Sequence, residues 1–411
     1  MTNAGFQFSV GTRLPGKPGR TGVITTPHGQ IRTPAFIPVG TRASVKGVLP
    51  EAMAALGAQA ILANAYHLYL QPGADVVDEA GGVGRFMNWP GPTFTDSGGF
   101  QVLSLGAGFK KVLAMSTAGL ANDDVIAKQS GRMAHVDDDG VTFKSHLDGS
   151  LHRFTPEVSM TVQHQLGADI IFAFDECTTL MNTRHYQEAS VARTHAWAER
   201  CLAAHAQLTA ERLGKPYQAL FGVVQGAQFE DLRRMAATGL AGLEVDGYGF
   251  DGYGIGGALE KENLARIVGW CATSLPEAAP RHLLGISEMD DLFAAVEAGA
   301  DTFDCVAPSR SARHGALYSP DGRYNVTRAA FKKDFGPPSD ECDCYTCRHY
   351  TRSYLHHLLR SGEMLGATLA TIHNEAFVVR LVDRMRAAIE DAGQAAFDHL
   401  RSEFLGRYFG G

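Results

Sequence analysis

Long apolar runs are missing from this 411-residue chain; none approaches the roughly 18–20 uninterrupted apolar residues that a membrane-spanning helix needs. The first residues, MTNAGFQFSV, also lack the basic and apolar blocks of a secretory leader. The expectation is a cytoplasmic protein without membrane contact. Cysteines are few and odd in number, seven, with three crowded between positions 342 and 347. That is a poor disulfide framework and a good set of metal ligands. Net charge is only −7, so no global positive field draws polyanions to the molecule. Residues 305–360, however, carry nine Lys/Arg against five Asp/Glu, enough for a local basic face to hold phosphate or nucleic acid. Low-complexity tracts, internal repeats and long linkers are absent as well, which excludes a solenoid or a string of tethered domains.

What the chain does have is a rhythm. Apolar residues gather into eight short runs at 35–40, 60–66, 92–98, 169–176, 219–226, 252–257, 282–287 and 301–307. Between them the spacing turns helical at 50–56, 156–166, 183–213, 230–237, 262–272 and 288–298. Near-continuous apolar strands are buried on both faces, and strands alternating with helices pair in parallel. Eight such units predict an α/β fold, the (β/α)8 TIM barrel. Turn signals at Pro27, His28 and Gly29 predict a hairpin lid before the first barrel strand, so that 1–307 holds the hairpin and all eight strands. A second hairpin is expected within HVDDDGVTFKSHLDGSLHRF, part of a long insertion at about 107–153. Residues 308–373, which hold the cysteine cluster, read as an inserted zinc-binding subdomain, and 374–411 as the last barrel helix, near 375–390, with a tail.

In such a barrel the loops after the strands converge on one mouth, so chemistry collects at the C-terminal strand ends. Reading those ends in order gives Asn64, Tyr66, Asp96, Asp175, Gln225, Gly256, Gly257, Gly285 and Asp304. Each alone has an ordinary explanation, since an acid can cap a turn and a glycine can merely permit one. Together they describe a polar mouth. Asp304 is followed by Pro308, Arg310 and Arg313, which sets a carboxylate beside an anion-binding rim. No histidine pair stands at a strand end, which argues against a catalytic metal held there by imidazoles. Paired carboxylates suit displacement at a sugar anomeric carbon, where positive charge develops and the leaving group needs a proton. Glycosyl transfer is the reaction class they imply. Separately, Cys342, Cys344 and Cys347 need one more ligand to close a tetrahedral, structural zinc site; His373, His349, His356 and His357 all compete for that place.

The motifs in combination resemble the bacterial, queuosine-forming branch of the tRNA-guanine transglycosylases. The residues that carry the resemblance are DSGGFQ (96–101), SHLDGS (145–150), FAFDECT (172–178), VVQG (223–226), DGYGIGG (251–257), DTFDCVAPSRSARHG (301–315), CDCYTC (342–347) and the pair His373–Asn374. The resemblance implies exchange of guanine at the tRNA wobble position for 7-aminomethyl-7-deazaguanine by double displacement. Asp304 would then be the nucleophile and Asp96 the general acid/base. Asp175, Gln225, Gly257, Ala258 and Phe100 would bind the base, while Arg310 and Arg313 would grip the anticodon loop. Cys342, Cys344, Cys347 and His373 would hold one Zn2+, and the chain would pair as a homodimer. After the paired glycines the sequence runs Ala258, Leu259, Glu260, Lys261, Glu262, where the family more often has Leu-Ala or Leu-Ser and a glycine before the glutamate. A non-catalytic tRNA-binding subunit is the alternative reading, and a glycosidase acting on small sugars a more distant one.

Overall fold

The computed structural model describes residues 5–101, 134–257, 260–286 and 288–410. Eight strands form one parallel sheet: Ala35–Pro38 (β1), Ile61–Ala63 (β2), Thr93–Thr95 (β3), Ile170–Phe172 (β4), Ala219–Val224 (β5), Gly252–Ile255 (β6), Arg281–Leu283 (β7) and Thr302–Cys305 (β8). Their order is β1-β8-β7-β6-β5-β4-β3-β2. A parallel bridge between Val39 and Leu62 joins the two outer strands, and Gly40 N donates to Leu62 O at 2.7 Å. Joining them leaves no open sheet edge and makes the barrel. The strands are shorter than the apolar runs that announce them, because the runs continue into the loops and helices of the mouth. The run at 60–66, for example, becomes β2 and then the start of helix Ala65–Leu70.

Alternation along each strand divides the core in two. Ile37, Leu62, Phe94, Phe172, Phe221 and Val223 fill the barrel, while Phe36, Ile171, Leu220, Ile255, Leu283 and Phe303 pack outward against the helices. The large rings inside explain the spaced glycines of DGYGIGG. A Cβ on Gly252 would come within 2.5 Å of the Phe221 ring, and one on Gly254 within 3.0 Å of Phe172.

The N-terminal hairpin has a third strand that the turn signals do not reveal. Gln7–Arg13, Arg20–Thr26 and Gly29–Thr33 pair antiparallel, and the first of these is largely exposed, so it carries little apolar signal. Ile24 and Ile31 join the barrel interior beside Ala35, Phe94 and Ile170, at the end where the strands begin; burying each contributes about 1.5–3 kcal/mol. Arg20 makes a buried two-pronged ion pair with Asp301, just before β8. The sheet therefore plugs the bottom of the barrel rather than covering its mouth. The second expected hairpin is likewise three-stranded, Ala134–Asp137, Gly140–Lys144 and Leu151–Phe154. Residues 102–133, which hold most of the long insertion, lie outside the described residues.

After β8 comes helix Ala307–Arg313, then the hairpin Ala316–Ser319 and Gly322–Asn325, then the short helices Tyr345–His349 and Arg352–Arg360. Helix Met364–Ala392 is continuous, so 308–373 and 374–411 share one rod. Its Arg386 donates to the carbonyls of Arg32 and Pro34 immediately before β1, which puts it in the place of the eighth barrel helix. The expected tail is a further helix, Gln394–Gly410. Its Phe397 and Phe404 rings pack on Phe293, and the spacing of Phe397, Leu400, Phe404 and Tyr408 is the helical signal in the sequence. No helix among the described residues is long and apolar enough to cross a membrane.

Candidate active site and metal centre

Asp96 follows β3, and its carboxylate is enclosed by donors. Ala65 N donates to Oδ1 at 2.8 Å and Gln101 Nε2 to Oδ2 at 2.8 Å, and the Asn64 side-chain amide also donates to Oδ2. Burial pushes the Asp96 carboxyl up to about 6; the three donors oppose the rise and the charge of Asp304 adds to it. Asp175, beyond β4, accepts from Ser97 Oγ at 3.0 Å and from Gln225 Nε2 at 2.6 Å. Burial again dominates and lifts its carboxyl to about 6, against the pull of Gln225 and Ser97. Two carboxyls that titrate near neutrality, on adjacent strands of one mouth, mark a site suited to proton transfer.

Close approach dictates two of the glycines here. A Cβ on Gly99 would lie 2.6 Å from the Asp175 carbonyl oxygen, so the loop after β3 can lean on the loop after β4 only without a side chain. Gly257 has φ +82°, and a Cβ there would lie 2.4 Å from Gln225 Oε1. Behind this corner the fully buried Arg233 donates to the carbonyls of Val224, Ala227 and Gly256, tying the loops after β5 and β6 together. Among the described residues Gln225 Oε1 has no hydrogen-bond partner. Phe100 stands next to Gly99 with its ring exposed. Ala258 lies outside the described residues. The two residues that depart from the family pattern have local partners: Asn263 donates to the Glu260 carboxylate, and Lys261 Nζ lies 3.3 Å from Asp290.

Asp304 lies in β8 and is partly open, its side chain 13% exposed. His282 Nε2 lies 3.1 Å from Oδ1, and Gly285 N donates to the same oxygen at 3.2 Å. Helix Ala307–Arg313 carries Arg310 and Arg313 one turn apart. Neither forms an ion pair among the described residues, in contrast to Arg32, Arg153, Arg184, Arg193, Arg200 and Arg401. Burial, and then the Arg310 charge, lowers the Arg313 guanidinium below its ordinary range, with Glu375 opposing. At the β2 side of the mouth, Tyr66 Oη and His146 Nδ1 are 3.1 Å apart, which anchors the SHLDGS segment there.

The ligand atoms of Cys342, Cys344, Cys347 and His373 all lie within 4.8 Å of one another. His373 Nδ1 is 3.6 Å from Cys344 Sγ and 3.3 Å from Cys347 Sγ. A zinc ion at about 2.3 Å from sulfur and about 2.0 Å from nitrogen sets tetrahedral ligand atoms roughly 3.5–3.8 Å apart, so the donor set fits. His373 Nε2–H donates to the Tyr318 carbonyl at 2.7 Å; that fixes the tautomer and turns the Nδ1 lone pair toward the thiolates. His349, His356 and His357 are not in the cluster. Next to His373, Asn374 donates to the carbonyls of Pro308 and Ala316, linking the Cys3His cluster to the arginine-bearing helix.

The structure thus brings Asp96, Asp175, Gln225, Gly257 and Asp304 to one mouth, with Phe100, Arg310 and Arg313 on loops or helices leading from it. Of the residues that hold the carboxylates, Asn64 and Gln225 stand among the strand ends named from sequence, while Ser97, Gln101 and His282 were missed. Ser97 and Gln101 are polar neighbours inside DSGGFQ, and His282 is an imidazole on an inward position of an otherwise apolar strand; that placement was the available signal.

Known proteins match the chain over nearly its whole length. Residues 16–409 match the profile of the queuine tRNA-ribosyltransferase family. Proteins named queuine tRNA-ribosyltransferase from Moorella thermoacetica and Symbiobacterium thermophilum are each 44% identical to the chain, over 98% and 97% of it and 98% and 90% of their own lengths. One of the same name from Herpetosiphon aurantiacus is 45% identical over 94% of the chain and 90% of its own length. With a closed parallel barrel, a polar mouth and a Cys3His cluster in place, and a match over nearly the whole sequence, the chain belongs to the queuine tRNA-ribosyltransferase family.

Proposed function

We propose that the protein is a tRNA-guanine transglycosylase that replaces guanine at the wobble position by 7-aminomethyl-7-deazaguanine, through a covalent Asp304–RNA intermediate. The observation that carries this reading is the pair of aspartates at one mouth. Asp96 is enclosed, with a carboxyl near 6 that feels the charge of Asp304, while Asp304 is held through a single oxygen.

In the first displacement Asp304 bonds to the ribose anomeric carbon, and the bond to guanine N9 breaks with its electron pair leaving on the base. Asp96, in its acid form, supplies the proton that neutralises the departing guanine. In the second displacement the ionised Asp96 takes the N9 proton of the incoming base, which attacks the same carbon and returns the electron pair to Asp304. Two inversions retain configuration, and Asp96 ends the cycle as it began.

Asp175 is an acceptor suited to the ring N–H and exocyclic amine of a guanine-like base. The second N–H of Gln225 Nε2, beside the one given to Asp175, and the Gly257 amide are donors suited to the base carbonyl, and Phe100 offers a ring for stacking. The Ala258 carbonyl remains the proposed acceptor for the aminomethyl group. Arg310 and Arg313, which form no ion pair among the described residues, are available to phosphates of the anticodon loop, where a single-stranded base can be splayed out at a cost of only a few kcal/mol. Zn2+ held by Cys342, Cys344, Cys347 and His373 would supply a structural crosslink. The protein is proposed to work in the cytoplasm, where tRNA is found, and as a homodimer.

The test is base exchange in an anticodon hairpin carrying radiolabelled guanine at the wobble position. Addition of 7-aminomethyl-7-deazaguanine should release the label stoichiometrically. Retention of the label, or release only by a different 7-substituted base, would refute the activity or the base preference respectively.

A further inference from the structure

We infer that His282 is a positioning residue for Asp304: together with the Gly285 amide it pins carboxylate oxygen Oδ1 and leaves Oδ2 as the atom that bonds to the ribose. This rests on the reading of Asp304 as nucleophile. His282 sits on β7, wholly buried in the barrel, with the Phe94 and Phe172 rings 5.4 and 5.3 Å from its own. Its partner across the sheet is Thr302 of β8, and Asp304, two residues on, faces the same way. The imidazole bridges them: Nδ1 lies 2.9 Å from Thr302 Oγ1 and Nε2 3.1 Å from Asp304 Oδ1.

The pairings fix the tautomer. A carboxylate oxygen is acceptor-only, so Nε2 must carry the proton that lies between it and Oδ1. In the neutral ring Nδ1 then has a lone pair, which the Thr302 hydroxyl satisfies as donor. The opposite tautomer would set two acceptors against each other at 3.1 Å, too close for a water molecule between them. Gly285 N donates to the same Oδ1 at 3.2 Å. With two donors on one oxygen, rotation of the carboxylate is arrested and Oδ2 keeps its lone pairs free toward the mouth.

This asymmetry serves both displacements. While the Oδ2–C1′ bond forms and the C1′–N9 bond breaks, Oδ1 becomes the ester carbonyl oxygen and still accepts both N–H groups. When Oδ2–C1′ breaks in the second step, the electron pair returns to the carboxylate. Negative charge grows on Oδ1, where both donors already point. His282 gives up no proton at any stage.

The test compares the unaltered protein with His282→Leu, His282→Gln and Thr302→Val. Rates of adduct formation and breakdown are followed by rapid quench on an anticodon hairpin, and RNA affinity is measured separately. Loss of one hydrogen bond to a charged oxygen predicts a roughly 10- to 100-fold slower breakdown in His282→Leu, with RNA affinity within about twofold. Glutamine, whose Nε2 can donate from nearly the same place, should restore most of the rate, and Thr302→Val should show a smaller loss. In the 15N spectrum of histidine-labelled protein, the signal lost in His282→Gln should be that of the Nε2–H tautomer. Equal rates in His282→Leu, a glutamine variant no better than leucine, or an Nδ1–H tautomer would each overturn the assignment. Should His282→Leu not fold, the glutamine and valine variants and the unaltered protein's spectrum decide it. Failure of the unaltered protein to form any adduct would instead strike the reading of Asp304, leaving the tautomer result to judge the hydrogen bonds.

Discussion

Replacing Asp96 by asparagine should make the protein more stable and catalytically dead. Burial raises this carboxyl from 3.8 to about 6. An acid whose folded value exceeds its unfolded one holds its proton more tightly when folded. Its contribution to stability is greatest below the unfolded value and is lost as pH rises through the folded value. At pH 8 the ionised side chain should therefore cost about 3 kcal/mol relative to its protonated form. Asparagine mimics the protonated form and removes that cost. Its oxygen can keep the bond from Ala65 N, and the amides of Asn64 and Gln101 can rotate to offer acceptors to its Nδ2. Urea unfolding of both proteins across the pH range is the assay. The variant should be more stable by about 2–3 kcal/mol at pH 8, and the difference should shrink toward zero as pH falls through 6 into the ordinary carboxylate range. A variant no more stable at pH 8, or a gain independent of pH, would refute the claim that Asp96 is strained by burial.

Other consequences are open to measurement. Gly257→Ala forces a left-handed backbone on a residue with a Cβ and pushes Gln225 aside; base KM should rise about 10- to 100-fold with RNA affinity unchanged, and an unchanged KM would show that Gln225 and Gly257 do not bind the base. Arg310→Ala should weaken RNA binding and lower the slope of log K against log salt by about one, whereas an unaltered slope would remove this arginine from the RNA interface. Cys347→Ser or strong chelation should release one equivalent of zinc, detected by metal analysis, and lower the thermal midpoint; release of metal without loss of stability would contradict a structural role. The Arg20–Asp301 pair at the barrel floor predicts that Arg20→Ala destabilises by about 3–5 kcal/mol in chemical unfolding, because it leaves a buried carboxylate unpaired.

The barrel was legible because its strands are buried on both faces, and that burial writes uninterrupted apolar runs into the sequence. The carboxylates were legible for a related reason: Asp96, Asp175 and Asp304 end such runs, where polarity stands out. Elements packed by few residues left weaker marks. Gln7–Arg13 shows one face to water and almost nothing to the core, and helix Gln394–Gly410 buries only a narrow stripe. The Cys3His cluster was legible only in part, since cysteine spacing names three of its residues while His373 is singled out by the folding of a helix 26 residues later in the chain. Least visible were the partners. That Ser97 holds Asp175, that Asn64 holds Asp96 and that His282 holds Asp304 follow from contacts between strands, which no spacing along one strand can show, and that Gln101 folds back on Asp96 follows from the path of the loop after β3.

The central claim is that Asp304 bonds covalently to RNA, and denaturing electrophoresis with intact-mass analysis tests it directly. The unaltered protein mixed with an anticodon hairpin and a 7-deazaguanine should yield an adduct equal in mass to protein plus hairpin less one guanine. The Asp304→Asn variant should yield none while still binding the hairpin. An adduct of undiminished yield in that variant, or one mapped by peptide analysis to Asp96, would contradict the account.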